Sequence, residues 1–143
     1  MPRYSDHYLA QLLAQRDYLA LVDLQGVASG WEGFDKNLPS FGWPCPIFVV
    51  FELVTWLAQA DRSGVWTYYE ATPVARSDCV LTTLDSLGAV EFHQQYARGK
   101  ERWQNYEESE KLDKWIRENE QTLIDWAFTV LIDHPAELAS VCD

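Results

Sequence analysis

The sequence predicts an all-α fold, a single compact domain of about six to seven helices around a central apolar helix. Three observations lead there. Apolar residues recur at helical spacing in every long segment, and none alternates at period 2 over a strand length. The run from Ile47 to Ala58 has helix length and is apolar on nearly every face. Glycine or proline stands where helices must stop, at Gly64, Gly88, Gly99 and Pro135. With 143 residues and 48% hydrophobic composition, the chain can bury one sizeable core but not two ordinary ones.

Ser5 is placed to cap a first helix bearing Tyr8, Leu9, Leu12 and Leu13, and Asp17 to cap a second through Tyr18, Leu21 and Val22. From Gly26 to Pro46 the period breaks. Four glycines, three prolines and the aromatics Trp31, Phe34, Phe41 and Trp43 mark a long connection, in which the rings either cover the core or form a partner-facing patch.

Pro46 fits the first position of the next helix, where its missing N–H removes no intrahelical bond. That helix is expected to be the most buried element, ended by Gly64 in a left-handed conformation. Thr72-Pro73 reads as an N-cap followed by a first-turn proline, opening a helix through Val80, Leu84 and Leu87 that Gly88 stops. A further helix runs from Val90 to Arg98, with Gly99 as its terminator. Residues 100–111 are strongly charged and read as a loop or a helical extension. The last long helix carries Leu112, Trp115, Ile116, Leu123, Trp126 and Leu131 on one stripe. Its pairs Glu107–Lys111, Glu110–Lys114 and Asp113–Arg117 place acid before base at i,i+4, and His134-Pro135 ends it.

Charge narrows the choice of partner. The chain has 22 Asp and Glu against 11 Lys and Arg, net −11, which opposes direct binding to nucleic acid or to an anionic membrane and favours a basic protein. Residues 1–72 hold eight acids and four bases, and residues 73–143 fourteen and seven, so the acid is weighted to the second half. The N-terminus has no basic segment leading into an apolar one, and the longest apolar run is shorter than the roughly 20 residues of a membrane span. A cytoplasmic location is the expectation.

No motif points to catalysis. Cys45, Cys79 and Cys142 are far apart, with no C-x-x-C pair, and read as buried or inert thiols. His7, His93 and His134 have no ligand-like spacing. Phosphate loop, nucleophile elbow and H-E-x-x-H are all missing. The paired carboxylates Glu107-Glu108 and Glu118/Glu120 lie in solvated surroundings that leave acid strengths ordinary. The chain is therefore read as a non-enzymatic interaction domain with no cofactor and no metal.

From Pro46 to Ala89 the chain resembles the bacterial DNA-mimic-protein-like family. Members show an apolar helix, an Asn-Asn-Gly-Gly-Phe-like turn into an aromatic Tyr-Phe segment, and a helix ending in an Ile-Gly-Ala-like step. The corresponding residues here are Phe48 to Leu57, Asp61-Arg62-Ser63-Gly64-Val65-Trp66, Tyr68-Tyr69, and Leu84-Asp85-Ser86-Leu87-Gly88-Ala89. Of the turn, the second glycine and the apolar residue after it, Val65, are kept. Leu131 to Leu138 is similar to the family's closing helix with its His-Pro exit. The resemblance implies a helical fold and a protein that imitates DNA charge to bind a basic DNA-binding regulator.

Two sets of side chains are expected to contact a partner: the acids Glu107, Glu108, Glu110, Glu118 and Glu120, and the aromatics Trp31, Phe34 and Trp43. A linear acidic stripe would fit a DNA mimic. An aromatic-centred patch would fit the alternative, an immunity-type inhibitor steered by charge and anchored by rings. An uncharacterised enzyme is the third reading. The expected state is a monomer or weak homodimer.

Overall fold

The computed structural model describes residues 3–143. Among them the chain forms eight α-helices and no strand: α1 (Asp6–Gln15), α2 (Tyr18–Ser29), α3 (Cys45–Arg62), α4 (Val65–Ala71), α5 (Val74–Ser86), α6 (Val90–Arg102), α7 (Tyr106–Asp133) and α8 (Pro135–Cys142). The all-α class is as expected, and the count exceeds six to seven. The additional elements are short. The aromatic segment after Gly64 is itself the helix α4, and the chain beyond Pro135 closes as α8 with proline at its start.

The chain divides into two compact units, Met1–Val54 with Thr122–Asp143, and Thr55–Gln121. Helices α3 and α7 contribute residues to both.

In the first unit α1 packs on α2 and α2 on α8. Ser5 accepts the Tyr8 N–H and Asp17 the Ala20 N–H, so both expected caps form. The core gathers Leu21 and Leu24 of α2, Ile47, Phe48 and Phe51 of α3, and Phe128 and Leu131 of α7, each fully buried. Burial of each such side chain contributes about 1.5–3 kcal/mol before the entropy of ordering is counted. The long connection folds back onto this core. Phe34 stacks on Phe41 with centroids 5.3 Å apart, and Trp43 meets Phe34, Phe41 and Phe51 at 5.1–5.4 Å.

The second unit is built around α6, against which α4 and α5 pack. Its interior holds a phenol cluster. The Tyr69 hydroxyl donates to the Tyr96 carbonyl at 2.9 Å and accepts the Trp56 indole N–H at 3.1 Å, while the Tyr68 and Tyr96 hydroxyls lie 2.7 Å apart. Burial pushes the pKa of the Tyr69 phenol well above its ordinary value, and the neighbouring Tyr96 adds to the effect.

Several local expectations change here. Gly99 does not end α6, which continues to Arg102. It sits inside the helix because a Cβ at that position would lie 2.5 Å from Tyr69 Cζ and 2.6 Å from a Leu112 methyl. Thr72 does not cap α5: its hydroxyl bonds back to the Tyr68 carbonyl instead. Gly64 has φ 101° and ψ 143°, a positive φ outside the left-handed helical well. Its N–H closes the end of α3 by donating to the Gln59 carbonyl, while its own position starts α4. Gly88 stops α5 as expected, with φ 70° and with Ala89 N–H donating to the Leu84 carbonyl in a Schellman closure.

Candidate interaction surfaces

The first turns of α7 are organised by Asn105. Its side-chain oxygen accepts the Glu108 N–H at 3.0 Å, and its carbonyl accepts the Ser109 N–H. This caps the helix and fixes where Glu107, Glu108 and Glu110 begin.

Of the five predicted acids, Glu107, Glu110, Glu118 and Glu120 are exposed and Glu108 is half-buried. Glu108 is surrounded by cations: Arg98 at 2.8 Å, Lys111 at 3.8 Å and Arg102 at 3.9 Å. Desolvation would raise its pKa, but the hydrogen bond and charge of Arg98, helped by Lys111 and Arg102, hold the carboxyl below its usual range. Its charge is already answered within the second unit. Glu110 accepts from the Tyr106 phenol at 2.7 Å, and Glu118 lies 3.9 Å from Lys114.

The expected i,i+4 pattern on α7 is therefore replaced. Lys111 turns to Glu108 and Lys114 to Glu118, and Asp113 accepts the Val65 N–H at 2.8 Å, capping α4 from α7. Burial raises the Asp113 pKa, partly offset by that bond and by Arg117. Glu107, Glu110 and Asp113 share their face with Lys111, Lys114 and Arg117. It is a mixed-charge face, not an acidic one.

Charge follows the units differently from the two halves of the sequence. The first unit contains ten Asp and Glu against three Lys and Arg, net −7, and the second twelve against eight, net −4. The ion pairs Arg98–Glu108, Arg102–Glu108, Lys111–Glu108, Lys114–Glu118 and Lys100–Asp78 all fall in the second. In the first, Asp6, Asp23, Glu32 and Asp133 are exposed and Glu137 half-exposed, and none of them lies within 4 Å of a cationic side chain among the described residues.

Arg3 and Arg16 of that unit are spent on the fold. The Arg3 guanidinium donates to the Val27, Val141 and Asp143 backbone oxygens, at the C-terminal ends of α2 and α8. Arg16 donates to the Asp125 carbonyl and lies over the Phe128 ring at 5.5 Å. This acidic excess was hidden in the sequence because its members come from both ends of the chain.

The predicted aromatic contacts separate in burial. Trp43 is 4% exposed, with its indole N–H on the Ala28 carbonyl at 3.0 Å, so it holds the connection down and offers no face to a partner. Trp31 and Phe34 are half-buried. Trp31 lies against Gly33, where a Cβ would come within 2.5 Å of its ring. The connection also contains Phe41 at φ 59°, a left-handed conformation for a non-glycine residue, held by the rings of Phe34, Trp43 and Phe48.

Cys142 is buried, which pushes its thiol up to about 11. Cys45 is exposed, so of the expectation of a buried or inert thiol the burial does not hold. No group of three or more metal-ligand side chains occurs among the described residues, and no helix there is long and apolar enough to cross a membrane.

The chain matches no protein-family model, and no curated protein or solved structure shows significant similarity to it.

Proposed function

We propose that this is a non-enzymatic acidic interaction domain that binds a basic protein through the first unit. The observation that carries this reading is the concentration there of exposed carboxylates with no cationic neighbour. Unanswered surface charge raises the local potential and speeds encounter with an oppositely charged partner, whereas charge already paired within the fold contributes little. Glu107, Glu108, Glu110, Glu118 and Glu120, interleaved with bases, become the secondary set.

The DNA-mimic-like pattern at Pro46–Ala89 favours a nucleic-acid-binding regulator as the partner. Such a partner presents a groove suited to phosphates, and carboxylates on helix surfaces can occupy it. The inhibitor alternative needs an aromatic centre, and of the aromatics expected to supply it Trp43 is buried, leaving Trp31 and Phe34.

The test is capture of partners from the source cells at low salt with tagged protein, followed by competition with duplex DNA. A mimic is displaced by DNA and releases its partner as salt rises, because screening shortens from about 10 Å at 0.1 M to about 3 Å at 1 M. A partner retained at high salt and indifferent to DNA would point to the inhibitor reading.

A further inference from the structure

The second unit contains an open groove of about 280 Å³ lined by Trp66, Glu70, Trp103, Gln104, Tyr106 and Ser109. That is several times the roughly 30 Å³ share of one liquid water. Its position follows from local sequence. Gly64 at positive φ starts α4, which carries Trp66 and Glu70 on one face at i,i+4. Trp103 opens the turn between α6 and α7, the Asn105 side chain caps the start of α7, and Ser109 Oγ ties the turn to the helix by donating to the Trp103 carbonyl at 2.7 Å.

Three features of the lining point to one ligand chemistry. Trp66, Trp103 and Tyr106 make no ring–ring contact with one another or with any other described aromatic, unlike the stacked rings of the core, and Trp66 and Tyr106 are 42% and 74% exposed. All three line the groove. Glu70 is exposed and makes no hydrogen bond or ion pair among the described residues, and neither lysine nor arginine lines the groove.

The Tyr106 hydroxyl donates to Glu110, and that hydrogen bond and charge raise the phenol's pKa. A phenol that donates to a carboxylate has an electron-enriched ring, which strengthens its attraction for a cation lying on its face.

We infer that this groove binds a methylated ammonium cation, with Trp66, Trp103 and Tyr106 contacting the methyl groups and Glu70 balancing the charge. Methylation matters because a bare ammonium keeps its hydration shell and its hydrogen-bonding needs, which three rings cannot meet. A trimethylammonium group has no N–H to satisfy and spreads its charge over methyl groups that fit against π faces. The groove belongs to the second unit, and the inference does not depend on the function proposed for the first.

The experiment follows the indole N–H resonances by NMR while the full-length protein is titrated with choline, with its neutral isostere 3,3-dimethylbutan-1-ol, and with Nα-acetyl-lysine methyl amide in trimethylated and unmodified forms. The expected result is saturable movement of the Trp66 and Trp103 resonances with the two trimethylammonium compounds and little with the other two. Tighter binding of trimethyl-lysine than of choline would assign a modified protein side chain as the source, and the reverse order a free small cation. Trp66→Ala and Tyr106→Ala, both at exposed positions, are each expected to weaken binding about fivefold. Glu70→Gln should weaken the cations and leave the isostere unchanged. Equal binding of choline and its isostere, an unchanged affinity in Trp66→Ala and Tyr106→Ala, or absence of saturable binding to either trimethylammonium compound would each overturn the inference.

Discussion

The phenol of Tyr69 occupies the space that a side chain at position 99 would need. Gly99 lies in the interior of α6, and only its missing Cβ lets the Tyr69 ring approach closely enough to hydrogen-bond the Tyr96 carbonyl. Helix propensity and packing therefore pull in opposite directions at one residue. Packing wins because a Cβ 2.5 Å from Tyr69 Cζ must displace a buried ring.

Gly99→Ala should destabilise the protein despite alanine's preference for helices. Alanine gains about 1 kcal/mol of propensity, and forcing a methyl into a packed site costs typically 1–3 kcal/mol or more. Urea unfolding is expected to show a net loss. A variant as stable as the parent would mean that the Tyr69 ring has room to move away.

Tyr69→Phe removes an acceptor from the buried Trp56 indole and a donor from the Tyr96 carbonyl, and should cost about 1–3 kcal/mol. Alkaline titration reads the same cluster. The folded pKa of Tyr69 is raised above its ordinary 10.0, so the stability it confers is fully present below that pH and is lost as pH rises through the folded value. In near-ultraviolet absorbance the exposed phenols should ionise first, and Tyr69 only together with loss of helical circular dichroism. Ionisation of every tyrosine with the helix signal intact would contradict its burial.

Gly64→Val should be far more damaging than Ser63→Ala, because φ 101° with ψ 143° is a region that β-branched residues do not enter. Asp113→Ala should also weaken the protein, by about 0.5–2 kcal/mol, since it leaves the start of α4 without its cap from α7. Circular dichroism melting compares the three. Equal melting temperatures for Gly64→Val and Ser63→Ala would show that the turn is freer than its backbone angles imply.

Truncation of Phe51 or Trp56 to Ala should each cost on the order of 3–5 kcal/mol through lost burial and a residual cavity, as both are fully buried on α3. Urea unfolding measures this. A loss below about 1 kcal/mol would place the helix at the periphery.

The elements most readable in the sequence are those whose signals are local. Ser5 and Asp17 cap the helices they precede, Gly88 stops α5, and His134-Pro135 ends α7 because each acts on its own backbone within a turn. Asn105 followed three residues later by Glu108 carries the signature of a capped start, and it would have placed the beginning of α7 at Tyr106. Gly99 was misleading for a tertiary reason. Nothing within α6 distinguishes a helix-ending glycine from one that admits a ring from α4. The acidic surface was illegible for a related reason: net charge by sequence half separates Asp6, Asp23 and Glu32 from Asp133 and Glu137, which fold into the same unit. The groove between Trp66, Trp103 and Tyr106 likewise joins residues from α4, the α6–α7 turn and α7.

The most direct test of the proposed function compares two charge-neutralised variants in the same low-salt capture from source cells, with circular dichroism to confirm that each is folded. One replaces Asp6, Asp23 and Asp133 by Asn and Glu32 and Glu137 by Gln; the other replaces Glu107, Glu110, Glu118 and Glu120 by Gln. The expected result is loss of the salt-sensitive partner from the first variant and its retention by the second. Retention by the first variant with loss from the second would return the interaction to α7, and retention by both would remove acidity from the mechanism.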